Sequence, residues 1–266
     1  MRSTRTATVR KFTEKTTDRM VRAFVKLFLL ILWVALLCPF VGIADKLKKS
    51  RERDILSRLC FKGMLRICEI RLTVHAHVAA TRPLLLVSNH LSYLDIPILA
   101  SQCPVCFTPK TEIAAWPVIG HLCRITGAVF VERAAEKIAE TRQALVRELS
   151  AGRPVCLYPE ATTGNGMELL PSKSSYVSLA EEPVDGKTLT VQPVAIVYRA
   201  IRRIPIDRTQ WPGIAWYGDM ELVPHLWAFL KLGCVDAELA FLSPTTLQEH
   251  GDRKALAAHC QKAIAL

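Results

Sequence analysis

The sequence predicts an α/β domain built on a largely parallel, mixed sheet flanked by helices and preceded by a membrane-associating helical segment. Three observations carry this reading. Residues 27–44 form an uncharged apolar run, short apolar or β-branched runs recur from 71 to 198, and amphipathic stretches lie between them.

The apolar run LFLLILWVALLCPFVGIA holds no ionisable group. As a helix its 18 residues would reach roughly 27 Å, close to the hydrocarbon thickness of a bilayer. It is too long for a signal peptide and lacks a small-residue cleavage site. Residues 1–53 carry 13 Lys/Arg against 4 Asp/Glu, so most of the net charge of +11 sits there. Arg10, Lys11, Lys15, Arg19, Arg22 and Lys26 precede the run, and Lys46, Lys48, Lys49, Arg51 and Arg53 follow it. Cations on both sides defeat a positive-inside assignment. They suit anionic headgroups on either flank, with Pro39 and Gly42 as a bend if the segment is re-entrant. Spanning and re-entrant arrangements both stay open. Because the cations bracket a lipid-soluble run, a membrane surface accounts for them better than nucleic acid does. The nine cysteines show no disulfide framework, which fits a reducing location. The chain therefore divides into a basic N-terminus with its membrane segment (1–53) and one catalytic-size domain (54–266).

In order, residues 54–71 have apolar positions at 55, 56, 59, 60, 64 and 67, with Arg58, Lys62 and Arg66 on another face. That spacing predicts an amphipathic helix, either interfacial or an ordinary surface helix. Strands are expected at 71–78, 83–88, 105–109, 128–132, 155–159 and 191–198. Helices are expected near 95–102, 134–150, 172–182 and 253–264, the second stopping at Gly152 with Pro154 beyond.

Three constellations could carry chemistry. Asn89-His90-Leu-Ser-Tyr-Leu-Asp95 follows the apolar run LLLVS, which would deliver it to a sheet edge. Ser92-x-x-Asp95 reads as a capping box, and Pro97 suits a first helical turn. Asp95 and His90 are then either a helix cap and a loop histidine, or an orienting carboxylate and the base it holds. Tyr158-Pro-Glu160-Ala-Thr162-Thr-Gly-Asn-Gly offers a carboxylate, hydroxyls and glycines at a strand end, a polar cradle or simply a turn. Residues 109–133 place Lys110 and Arg133 at either end of a stretch with turn signals at Pro117, Gly120 and Gly127. Arg133 there either reaches a phosphate or carboxylate or is a solvated surface residue.

Together and in this order, the blocks resemble the 1-acylglycerol-3-phosphate acyltransferase (PlsC-type) family of glycerolipid acyltransferases. Asn89 to Asp95 is similar to the family's HX4D block. Lys110 to Arg133 is similar to its second block, Tyr158 to Thr162 to its FPEGT block, and Val191-Gln-Pro-Val194 to its fourth. Ala161 stands where the family has glycine and Tyr158 where it has phenylalanine. Residues 169–175 and 215–227 resemble a bacterial branch that includes lyso-ornithine-lipid acyltransferases.

The resemblance implies a glycerolipid-acyltransferase-like fold and transfer of a fatty acyl group from acyl-CoA or acyl carrier protein to the free hydroxyl of a lysolipid. The first-choice acceptor is 1-acyl-sn-glycerol-3-phosphate, and lyso-ornithine lipid is the alternative. His90 would act as general base and Asp95 as its orienting group, with N–H groups at the start of the 92–102 helix near the developing oxyanion. Asn89, Lys110, Arg133, Glu160 and Thr162 would bind substrate. No metal, cofactor, covalent acyl-enzyme or nucleic-acid partner is expected. The partners are membrane lipids and the thioester donor, and the expected location is a membrane, catalytic domain toward the cytosol, as at a bacterial inner membrane. Two other readings stand beside it. Cys103-x-x-Cys106 with His121 and Cys123 has zinc-like residue types, and a catalytically inactive membrane-binding relative would keep the motifs without the activity. No G-x-S-x-G elbow supports a serine hydrolase. His75 and His77 show no partner carboxylate in sequence and read as packing residues.

Overall fold

The computed structural model describes residues 2–131 and 135–265, with side chains described over 16–131 and 137–265. Helix α1 (Arg2–Lys46) runs unbroken through Pro39 and Gly42, so of the two arrangements left open it lacks the bend that a re-entrant segment would need there. Ala23, Lys26, Leu37, Val41 and Ala44 form its buried stripe at helical spacing. This stripe lies against α2 (Ser50–Ile67), where the Trp33 indole N–H donates to the Cys60 carbonyl at 2.9 Å. Gly63 makes that approach possible, since a Cβ there would fall 2.1 Å from the Trp33 ring. Lys26 pairs with Glu69 at 2.9 Å just beyond α2. The opposite stripe of α1, including Phe24, Phe28, Ile31, Leu32, Leu36 and Phe40, is exposed. Its Thr16–Lys46 portion is long and apolar enough to cross a membrane, and so large an apolar face calls for a non-aqueous cover.

Strands β1 (Ile70–His75), β2 (Leu84–Ser88), β3 (Val155–Leu157), β4 (Thr190–Ile201) and β6 (Val235–Phe241) form a mixed sheet in the order β1-β6-β4-β2-β3. The pairs β1–β6, β4–β2 and β2–β3 are parallel and β6–β4 is antiparallel. Two short strands, β5 (Ile204–Pro205) and β7 (Thr245–Thr246), pair antiparallel with β4. The unbroken apolar run LLLVS has a simple cause. Leu84 and Leu86 face one buried cluster while Leu85 and Val87 face the other, so both faces of β2 are covered. Helix α3 (Asp95–Ala100) and α6 (Leu222–Leu232) contribute to the first cluster. The second takes in α5 (Ala135–Ser150) and α8 (Arg253–Ile264).

The expected strands at 105–109 and 128–132 reduce to isolated bridges, Cys106 with Val155 and Lys110 with Val131. Pro104 and Pro109 supply no N–H at either end of the first stretch, so the ladder stops there. The expected helix at 172–182 is a 3₁₀ segment, Ser174–Glu181. Its serines compete for backbone partners, as when Ser178 Oγ donates to the Ser175 carbonyl at 2.8 Å. Strand β6 alternates buried and half-buried residues along VDAELAF, a period-two pattern absent from the strands expected above. A short α4 (Ile119–Ile125) and α7 (Leu247–His250) complete the chain.

Candidate active site

β2 stops at Ser88 beside Val194, while β4 continues seven residues further. Asn89 fills the gap by side-chain mimicry. Its Nδ2 donates to the Ile196 carbonyl at 2.9 Å, and its Oδ1 accepts from the Ile196 N–H at 2.8 Å. Asn89 is thereby committed to holding the loop on the sheet.

The chain then turns through His90 into α3. Asp95 is fully buried at the start of that helix, and four donors meet its carboxylate. Oδ2 accepts from the Leu91 N–H at 2.6 Å and the Ser92 N–H at 2.9 Å, and lies 2.8 Å from His90 Nδ1. Oδ1 accepts from the Tyr198 hydroxyl at 2.7 Å. A carboxylate on Nδ1 fixes the proton there and leaves Nε2 as the basic nitrogen. Among the described residues, no hydrogen bond engages Nε2, and the His90 side chain keeps 20% of its surface exposed. The dyad is thus sealed at Asp95 and open at His90.

Two details of the local expectation change. Ser92 and Asp95 make half a capping box: the carboxylate accepts the Ser92 N–H, but Ser92 Oγ has no partner among the described residues. The helix is shorter than 92–102, and the Ser92 amide at the start of that span, where oxyanion donors are expected, is spent on Asp95 together with the preceding Leu91 amide.

The 158–166 segment forms the second wall. The Tyr158 ring stacks on the His90 imidazole with centroids 4.0 Å apart and planes 16° from parallel. Glu160 is buried and tethers two loops, its Oε1 accepting from the His90 N–H at 3.1 Å and its Oε2 from the Leu170 N–H at 3.3 Å. Burial pushes its carboxyl above the usual range, against the pull of these two donors. The Gly164 N–H donates to the His90 carbonyl at 2.8 Å. Ala161 has φ 61°, so the left-handed conformation that suits the family's glycine is kept by an alanine. Thr162 sits exposed on this loop.

A third wall comes from residues 211–227. The Trp216 N–H donates to the Leu91 carbonyl at 2.9 Å. The Tyr93 hydroxyl bonds His225 Nδ1 at 3.0 Å, while His225 Nε2 meets the Ala215 carbonyl at 3.1 Å. Since Nε2 must donate to a carbonyl, Nδ1 accepts from Tyr93, and burial lowers the His225 pKa, favouring this neutral form. Trp211 packs over Gly166, where a Cβ would approach the indole to 2.2 Å.

Of the residues expected to form a site, His90, Asp95, Asn89 and Glu160 come together. Lys110 is exposed beside Val131, with no side-chain partner among the described residues. Arg133 lies outside the described residues. Sequence reasoning missed Tyr198, whose signal was a phenol at the end of the expected apolar strand 191–198 and in need of a polar partner. It also placed His75 wrongly. Glu238, brought alongside by β6, lies 3.3 Å from His75 Nε2, and the imidazole is exposed rather than packed. Cys103 and Cys106 are buried in the two apolar clusters, and among the described residues no group of three or more metal-ligating side chains converges.

Comparison with known proteins agrees with this architecture. The Acyltransferase family profile matches residues 69–197. The lyso-ornithine lipid O-acyltransferase of Brucella abortus is 33% identical over 241 residues, covering 89% of this chain and 90% of that protein. Its Rhizobium meliloti counterpart is 33% identical over 230 residues, covering 85% and 76%. The 1-acyl-sn-glycerol-3-phosphate acyltransferase of Neisseria gonorrhoeae is 29% identical over 226 residues, covering 84% of each. The crystal structure of the 1-acyl-sn-glycerophosphate acyltransferase PlsC from Thermotoga maritima superposes with a TM-score of 0.71 at 15% identity, covering 94% of this chain and 95% of that one, and so shares its fold. The chain belongs to the PlsC-type acyltransferase family.

Proposed function

We propose that this acyltransferase moves a fatty acyl group from a thioester, acyl-CoA or acyl carrier protein, to the hydroxyl of a lysolipid. The observation that carries the proposal is His90 Nδ1 held 2.8 Å from a sealed Asp95, with Nε2 left open. Nε2 takes the proton as the hydroxyl oxygen attacks the thioester carbonyl. The tetrahedral intermediate then expels the thiolate, which takes the proton from the imidazolium. Asp95 stabilises that imidazolium, and base assistance of this kind is worth roughly 10²–10⁴-fold. The thioester is already an activated acyl group, so the step needs no metal, cofactor or acyl-enzyme.

Lys110, Arg133 and Thr162 bind the acceptor headgroup in this proposal, while Asn89 and Glu160 hold the loops that shape its site. Lyso-ornithine lipid is the favoured acceptor. The curated relatives of that specificity have the higher identity over long spans, and residues 215–227, which resemble that branch, bond directly to the HX4D loop. Lysophosphatidic acid is the second reading, supported by the Neisseria similarity. The exposed stripe of α1 rests in the membrane, which we place as the bacterial inner membrane with the catalytic domain toward the cytosol.

The test is labelled acyl transfer by membranes containing the full chain, with each lysolipid offered in turn. Wild-type protein acylates lyso-ornithine lipid and His90→Ala does not. Activity that survives His90→Ala would overturn the mechanism, and transfer to lysophosphatidic acid alone would overturn the acceptor.

A further inference from the structure

Three of the four donors on Asp95 come from its own loop, but the fourth comes from the sheet. Tyr198 lies 103 positions away, is 2% exposed, and reaches Oδ1 from β4 at 2.7 Å. The register of β4 against β6 shifts between Tyr198 and Ala200, the kind of irregularity that re-aims a side chain beside a site. Oδ2 is occupied by Leu91 N–H, Ser92 N–H and His90 Nδ1, so the phenol is the group that fixes the other oxygen and hence the plane of the carboxylate.

We infer that Tyr198 is a positioning residue for acyl transfer: its hydroxyl holds Asp95 in the plane that serves His90 and draws off part of the carboxylate charge that His90 would otherwise feel. The inference rests on the acyl-transfer reading above. Burial raises the phenol pKa well above its usual value, with the Asp95 charge adding to the effect, so Tyr198 keeps its proton and remains a donor to Asp95. The other groups facing the dyad are Tyr158 and Glu160 from the 158–166 loop, Cys156 from β3, and Tyr93 with His225 behind it. Among the described residues none of these groups bonds Oδ1, so the carboxylate has Tyr198 as its one side-chain partner on that oxygen.

The sign of the effect follows from charge. His90 must be neutral to act. Without the phenol, Asp95 carries more charge toward Nδ1, the imidazolium is favoured, and the acid limb of the rate profile moves to higher pH. The experiment is Tyr198→Phe in the full chain, with steady-state acyl transfer measured across pH. The expected result is a kcat about tenfold lower, KM within about twofold, and an acid limb raised by roughly half a pH unit. The ring and its packing are kept, so a folded protein is expected, and thermal melting checks it. An unchanged kcat would overturn the inference, as would a lower kcat with an unmoved acid limb, the mark of a packing role. His90→Ala run in parallel separates the two levels. Activity in that variant defeats the acyl-transfer mechanism itself, whereas an inactive His90→Ala beside a wild-type-like Tyr198→Phe defeats the role of Tyr198 alone.

Discussion

The His90–Asp95 dyad and the segments that would receive the acceptor are held in opposite ways. Both oxygens of the Asp95 carboxylate are engaged, by four donors in all, and Tyr158, Glu160 and Gly164 fix the histidine by its ring, its N–H and its carbonyl. Lys110 and Thr162 are exposed and have no side-chain hydrogen bond or ion pair among the described residues. A reacting group gains from being fixed before substrate arrives, because its geometry then costs nothing at the transition state. A headgroup contact gains from staying solvated until the ligand replaces the water. The difference predicts that changes in the dyad act on kcat and changes at the headgroup act on KM.

Asp95→Asn tests the first half most severely. The amide oxygen can still accept the Leu91 and Ser92 N–H groups, and the amide NH₂ can turn toward the Tyr198 oxygen, so the fold should persist. The charge that stabilises the imidazolium is gone. We expect kcat to fall roughly 10²–10⁴-fold, with acceptor KM within a few-fold. Single-substrate kinetics on detergent-solubilised protein measures both, and an unchanged kcat would remove Asp95 from the mechanism.

Lys110→Ala and Arg133→Ala test the second half at a smaller scale. Losing one charged contact to an acceptor phosphate or carboxylate should raise KM about tenfold, equivalent to about 1.4 kcal/mol, with kcat and melting temperature little changed. A loss confined to kcat in either variant would mean that the headgroup segments take part in the chemistry, and the contrast between the two regions would break.

Legibility in the sequence divides along the same line. The dyad was readable because both members lie within six residues, after a strand whose continuous apolar run marks it as buried on both faces. The roles of Tyr198 and Glu238 were not, because their partners are set by strand order, and residues 215–227 were legible only as a resemblance, not as a wall against Leu91 and Tyr93. β6 inserts between β1 and β4, and β4 outruns β2, facts that no local pattern encodes. Glu160 was recognised as a site residue, but its task as a tether between His90 and Leu170 depends on a loop approach that its neighbours in sequence do not announce. Membrane association was legible as an apolar run, whereas the unbroken course of α1 through Pro39 was not, since a proline can end, kink or ride within a helix depending on what packs beside it.

Ala161 offers the finest probe of how tightly the dyad's surroundings are determined. At φ 61° an alanine costs about 1 kcal/mol relative to glycine. Ala161→Gly relieves that strain but gives the unfolded chain more freedom, worth roughly 0.5–1 kcal/mol in the other direction. The two nearly cancel, so the melting temperature should move by less than about 2 °C and kcat should hold. The neighbouring hydrogen bonds explain why: the Ala161 N–H donates to the Tyr158 carbonyl at 3.0 Å, and Glu160 is anchored at both oxygens, so the turn is defined without the methyl group. A fall in kcat in this variant would show instead that the methyl stiffens the segment carrying Tyr158 against His90. Rigidity of that wall would then belong to the catalytic half of the molecule rather than to the recognition half.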